Sequence, residues 1–274
     1  MKKITYFLLM AFLTGQCVSL NQGADDSDLT EIANWTVDNG KLGQANIIQS
    51  GKAENTIKNI AKTWEAINDI LPKTWMHKYV KTLELLTDGK DETLAGVKSI
   101  DETNKTWAFA LDPADLPKGD FKEDADFLQT LIHEFGHILT LNDSQVEPSD
   151  LKFQADETRY LTNEGLAKMD SYINQFVQQF WYKNDLLLEW DKIQRTKNPN
   201  KRLDRLYDFY LTNKTKFHTD YAAESPEEDI AESWYFFVIA DKPTGRLEKD
   251  KKVLFFYQFD ELIAMRNEIR SSIQ

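Results

Sequence analysis

Only one cysteine occurs in the 274 residues, so no intramolecular disulfide can form and the core must hold by packing alone. Histidine is almost as scarce, with His77, His133, His137 and His218 the whole complement. Basic residues are outnumbered, 33 Lys and Arg against 45 Asp and Glu, for a net charge of −12. That balance argues against a nucleic-acid-binding chain or one with a surface for anionic lipid. It would bias an acidic cleft toward basic peptides, although a solvated acidic surface that aids solubility is the simpler account. Apolar runs long enough to span a bilayer are missing, and no internal repeat is present. What remains is 41% hydrophobic, with seven tryptophans and sixteen phenylalanines, the composition of a folded core.

One apolar run of ten residues, 4–13, stands behind Met1, Lys2 and Lys3. It has the size of a signal-peptide core and is short for a membrane span. Cys17 comes four residues later, and the arrangement resembles a bacterial lipoprotein signal, in which the cysteine becomes the lipidated first residue. An ordinary secretory signal with an incidental cysteine is the alternative. Both export the chain to the cell envelope or beyond, with membrane attachment only through a lipid at Cys17. After a signal at 1–16, residues 17–52 are polar and rich in Asp, Asn and Gly, and read as a tether and a loosely docked N-terminal segment.

Residues 53–274 read as one domain, α+β and predominantly helical. Ile57, Ile60, Ala61, Trp64, Ile67, Ile70 and Leu71 mark a helix over 55–71 that stops at Pro72. Alternation at 78–85 and 106–111, with a turn at 87–90 and a short β-compatible piece at 95–100, predicts a small antiparallel sheet. Residues 108–111 of its last strand are a candidate edge for binding an extended peptide by strand addition. A helix is expected from about residue 120. A helical insertion follows over about 160–215, with helices at 164–181, 185–193 and 202–211 and a break at 197–200. A single C-terminal helix is expected over 251–273.

The helix from 120 contains TLIHEFGHIL at 130–139, one copy of H-E-x-x-H. On a helix His133 and His137 lie one turn apart on a single face, close enough to share one metal ion. Glu134 is about 100° further round, beside the metal, where a general base for a bound water belongs. The flanking Phe127, Leu128, Leu131, Ile132, Phe135, Ile138 and Leu139 bury this helix, and buried histidines and a glutamate need a partner such as a metal.

A third ligand is needed. Ser225 and Pro226 followed by acids form a strong helix start. Glu228 and Glu232 then project from one side of a largely buried helix. One of the two can bind the metal while the other accepts the N–H of a ligating histidine. Asn163-Glu164 is a lesser alternative: in the thermolysin group the third ligand follows an Asn and opens a Glu-x-x-x-Asp pair, but Lys168 stands at the place of the aspartate.

These motifs together, His133-Glu134-Phe135-Gly136-His137, then Tyr221, then Glu228-Asp229-Ile230-Ala231-Glu232, resemble the gluzincin metallopeptidases related to anthrax toxin lethal factor. The seven-residue step from Tyr221 to Glu228 and the Ala231-Glu232 pair both match that family. The resemblance covers roughly residues 108–240. It implies a zincin-like domain and one Zn2+ held by His133, His137 and Glu228, with Glu134 as general base. It further implies that Tyr221 donates a hydrogen bond to the oxyanion and that Glu232 stands behind a ligating histidine. The reaction it implies is hydrolysis of peptide bonds, with a peptide or protein as substrate; the chain is expected to be a monomer. His137 and Glu228 are 91 residues apart, further than in lethal factor, because of the helical insertion. His218, three residues before Tyr221, is a candidate second oxyanion donor or simply a surface histidine. The rival reading is a non-catalytic zinc-containing lipoprotein that binds peptides at the cell surface; an intact Glu134 argues against it.

Overall fold

The structure, a computed structural model, describes residues 30–87, 94–154, 158–183 and 185–274. The signal segment and residues 17–29 lie outside the described residues. The rest of the polar stretch read as a tether forms two strands, which corrects that reading. β1 (Thr30–Asp38) and β2 (Lys41–Ile47) are joined through Asn39 and Gly40, whose φ values of 47° and 75° suit a two-residue hairpin turn. Ala33, Trp35 and Val37 alternate inward and are buried, while Asn34, Thr36 and Asp38 between them are polar. That alternation, carried by only a few apolar residues, was masked by the polar composition.

α1 (Ser50–Ile70) follows, and its Trp64 indole donates to the Gly40 carbonyl at 2.7 Å, fastening the hairpin turn to the helix. The strand expected from residue 78 starts later, because α2 (Lys73–Tyr79) occupies the residues after Pro72. β3 (Val80–Thr87), β4 (Ala95–Ser99) and β5 (Trp107–Leu111) complete a five-stranded sheet in the order β2-β1-β3-β5-β4. The expected turn at 87–90 lies, after Thr87, outside the described residues. β3 and β5 run parallel, with Leu83 opposite Phe109 and Leu85 opposite Leu111. The sheet is therefore mixed, and the expectation of a purely antiparallel one fails. β5 is also no edge: β3 and β4 flank it and all five of its residues are buried. An added peptide strand cannot pair there. The edges are β2 and β4.

α3 (Ala125–Leu141) starts later than residue 120 because Asp124 caps it, its side chain accepting from the Phe127 N–H at 2.9 Å. The next segment departs furthest from expectation. β6 (Val146–Glu147) pairs antiparallel with β7 (Leu166–Ala167), and β7 lies where residues 164–181 were expected to be one helix. Gly165 has φ 140°, and a Cβ on it would stand 2.3 Å from the Glu147 carbonyl oxygen, so the chain turns there. Helix begins only at α4 (Tyr172–Val177), capped by Ser171, and runs into a π-helical turn at Gln178–Tyr182.

α5 (Leu186–Gln194) and α6 (Pro199–Thr212) come next; the break at 197–200 is the start of α6, with Asn198 as cap and Pro199 at its first position. A 3-10 turn at Tyr221–Ala223 leads into α7 (Pro226–Ile239). The single C-terminal helix is two, α8 (Glu248–Phe256) and α9 (Asp260–Ser272). The described residues make an α+β fold, about half helical, around a small mixed sheet. No described helix is long and apolar enough to cross a membrane.

Candidate metal centre

The centre is built where α3 packs on α7. Every residue from 130 to 141 is buried, so α3 runs through the core. The two helices approach closely at Gly136 and Ala231: a Cβ on Gly136 would lie 3.1 Å from the Ala231 Cα and 3.2 Å from Trp234 Cδ1. Ser225 caps α7, accepting from the Glu228 N–H at 3.2 Å, and so fixes where the helix begins relative to α3. On another side of α7, Asp229 accepts from the Trp181 indole at 2.8 Å and pairs with fully buried Lys252 at 2.5 Å. Burial raises the Asp229 carboxyl to about 6 and lowers the Lys252 ammonium, so desolvation outweighs their mutual attraction on both partners.

Across the helix interface the expected residues meet. His133 Nε2 lies 3.0 Å from His137 Nε2 and 3.0 Å from Glu228 Oε2, and His137 Nε2 is 3.4 Å from the same oxygen. These buried atoms all fall within 4.8 Å of one another, and the group could hold a metal ion. The chemistry of the donor set supports this. A tetrahedral ion bound at about 2.0–2.2 Å needs ligand atoms about 3.3–3.6 Å apart, close to the spacing here. Three lone-pair donors crowded this tightly repel one another unless a cation or a proton lies among them. Burial opposes charge on His133, yet the bonds to Glu228 and Glu232 outweigh it and hold the imidazole well above its ordinary range. His137 is raised against the same burial, chiefly by Glu228. Burial likewise opposes charge on Glu228, but His137 and His133 hold its carboxyl down at about 2. The site thus favours an anionic carboxylate facing positive charge. A divalent ion would supply that charge and displace the imidazole protons.

Behind the three donors, Glu232 Oε1 is 2.9 Å from His133 Nδ1, and its other oxygen accepts from the Thr219 hydroxyl at 2.8 Å. With Nδ1–H given to Glu232, His133 presents the Nε2 lone pair to the site. Thr219 Oγ1 also accepts from the Ala222 N–H at 3.1 Å, linking Glu232 to the turn that carries Tyr221. Sequence reasoning missed Thr219; its one signal was its place two residues before Tyr221. The Tyr221 ring sits 5.5 Å from the His133 ring, centroid to centroid. Glu134 is fully buried on α3, outside the group of three, and its charge helps raise His137.

The remaining candidates are placed elsewhere. Glu164 is not in the three-residue group; it lies near Glu227 and Tyr160, where its charge helps keep Glu227 protonated to about 7, after burial. His218 is only partly exposed. It stacks on Phe236 at 4.1 Å, and its Nε2 donates to the Lys249 carbonyl at 3.0 Å. It is therefore neither a free surface histidine nor a donor aimed at the site.

This chain matches no protein-family model, and comparison with curated proteins and with solved structures returned no match.

Proposed function

We propose that this protein is a zinc metallopeptidase with a zincin-like catalytic domain, exported to the cell envelope or beyond, with Cys17 as its lipid-anchor candidate. The observation that carries the reading is the convergence of three donors, two of them from H-E-x-x-H, at close to the spacing of a tetrahedral ion's ligands, with Glu134 on the same helix but outside the group of three. Zinc suits two imidazoles and one carboxylate, a set that leaves a position open, and as a Lewis acid it activates water and polarises a carbonyl.

The protein's own groups do the rest. His133, His137 and Glu228 would hold the ion. Glu134 takes the proton of the attacking water and returns it to the leaving amine. The Tyr221 hydroxyl donates to the carbonyl oxygen as negative charge develops there, a contribution of about 10²–10³ in rate for a well-placed donor. Glu232 fixes the tautomer of His133, and Thr219 fixes Glu232.

Metal content of the wild type and Glu228→Ala tests the first half of this reading. About one zinc per chain is expected in the wild type, with loss or marked weakening in the variant. Hydrolysis of a peptide library tests the second half, with Glu134→Ala as control. Zinc bound normally by Glu228→Ala would move the third ligand elsewhere, and no zinc in either protein after reconstitution would sink the enzyme reading. Zinc binding without hydrolysis would leave the peptide-binding alternative.

A further inference from the structure

The negative charge of the chain is unevenly spread. Residues 192–216 hold eight Lys and Arg against two Asp, a net of +6, so the rest of the chain, at −12 overall, carries −18. This stretch runs from the end of α5 through α6 to the loop that follows. Leu206 and Phe209 turn inward, and the Trp190 indole donates to the Glu224 carbonyl at 2.5 Å, anchoring the hairpin by its inner side. The exposed cations of residues 192–216 are Lys192, Arg195, Lys197, Lys201, Arg205 and Lys214, with Asp204 and Asp208 as the exposed acids. Among the described residues, Arg195 alone of these six is ion-paired, to Asp191.

Apolar side chains stand among these cations. Leu203, Tyr207 and Leu211 recur every four residues along α6 and are 56%, 52% and 40% exposed; Leu188 on α5 is 57% exposed. A single exposed leucine needs no explanation, but an apolar stripe of three along α6, bordered by Asp204 and Asp208 within a stretch of net positive charge, is the pattern of a helix that lies in a lipid interface. We infer that the α5–α6 hairpin docks on an anionic lipid surface, its lysines at the phosphates and Leu203, Tyr207 and Leu211 reaching the acyl boundary. A soluble polyanion would engage the lysines and leave the stripe in water, so the stripe favours the bilayer. The whole-chain charge, which argues against such a surface, conceals this local reversal. The inference depends on neither the metal site nor Cys17.

Co-sedimentation of the full chain with vesicles of phosphatidylcholine, alone or mixed with phosphatidylglycerol, tests it. Any binding through residues 1–17 is common to wild type and variants and cancels in their comparison. The wild type is expected to partition about tenfold or more in favour of the mixed vesicles, a preference that high salt erases. The preference is expected to vanish in Lys197→Glu/Lys201→Glu/Lys214→Glu. It should fall severalfold in Leu203→Ser/Tyr207→Ser/Leu211→Ser, with the circular dichroism of both variants unchanged. Equal partition of the wild type onto both vesicles overturns the inference, as does a preference that survives the charge reversals. A preference untouched by the serine variant, together with charge-dependent retention on heparin, assigns the hairpin to a soluble polyanion and overturns it as well.

Discussion

At the scale of single residues the centre depends on how charge is held in the dry space between two helices. Glu232 bonds to His133 Nδ1 at 2.9 Å and is itself held by Thr219. Glu232→Gln keeps an oxygen that can accept that bond but removes the charge that makes the imidazole basic. Metal affinity should fall roughly 10–100-fold with little change in melting temperature, measured by competition with a chromogenic chelator. Unchanged affinity would make Glu232 a packing residue. His218 gives a pH test away from the centre. Burial, partly offset by the Lys249 carbonyl, lowers its pKa from 6.5 to about 4. The unfolded chain therefore binds the proton first as pH falls. His218 contributes stability in full above pH 6.5, and that contribution is lost as pH falls through about 4. His218→Phe keeps a ring against Phe236 and removes the titration. It should lose roughly 1–3 kcal/mol less than wild type between neutral and acid pH, read from denaturant midpoints. Parallel losses in the two proteins would mean that the histidine is not held neutral. The two histidines of the candidate centre were legible in the sequence because the spacing of His133 and His137 translates directly into one helix face. Thr219 was not, since nothing local to a threonine marks a carboxylate brought to it from α7.

At the scale of elements, α3 and α7 must meet at a fixed distance for donors on separate helices to converge. The close approach of Gly136 to Ala231 sets that distance, so the glycine of H-E-F-G-H and the alanine of E-x-x-A-E are the two sides of one contact. Gly136→Ala places a methyl group 3.1 Å from the Ala231 Cα, within a buried interface that must give by a few tenths of an ångström to take it. Overpacking of this kind costs about 1–3 kcal/mol, and the same shift carries Glu228 away from the histidines. Both a lower melting temperature and weaker metal binding are expected, and Ala231→Gly in the same chain should restore part of each by removing the facing methyl. A single variant that binds metal normally would mean that the centre tolerates helix displacement. Element-level reading of the sequence succeeded where caps were explicit, as at Ser225 and Pro226. It failed at residues 164–181, where Leu166 and Met169 continued an apolar period although Gly165 had already turned the chain and left Met169 exposed.

At the scale of the whole molecule, the N-terminal hairpin decides whether residues 48–274 can stand alone. β1 is the antiparallel partner of β3, which in turn pairs with β5, the strand that leads toward α3. Ile32, Trp35 and Val37 are buried against the rest, and the Trp64 indole closes on Gly40. A Cβ on Gly40 would lie 2.2 Å from His77 Nε2, so the turn itself is seated against α2. Three buried side chains at about 1.5–3 kcal/mol each are worth on the order of 5–9 kcal/mol, comparable to the net stability of a typical domain. Removing residues 1–47 would also leave one side of β3 unpaired, an open edge along a strand that buries Val80, Leu83 and Leu85. The shortened chain should therefore lack a single cooperative thermal transition and bind a hydrophobic dye, whereas a chain that begins at residue 26 should unfold like the full protein. A tether or loosely docked segment would make the two truncations behave alike. Equal melting temperatures for both would show that the hairpin adds nothing to the core, and would leave α1 and β3 to hold the sheet by themselves.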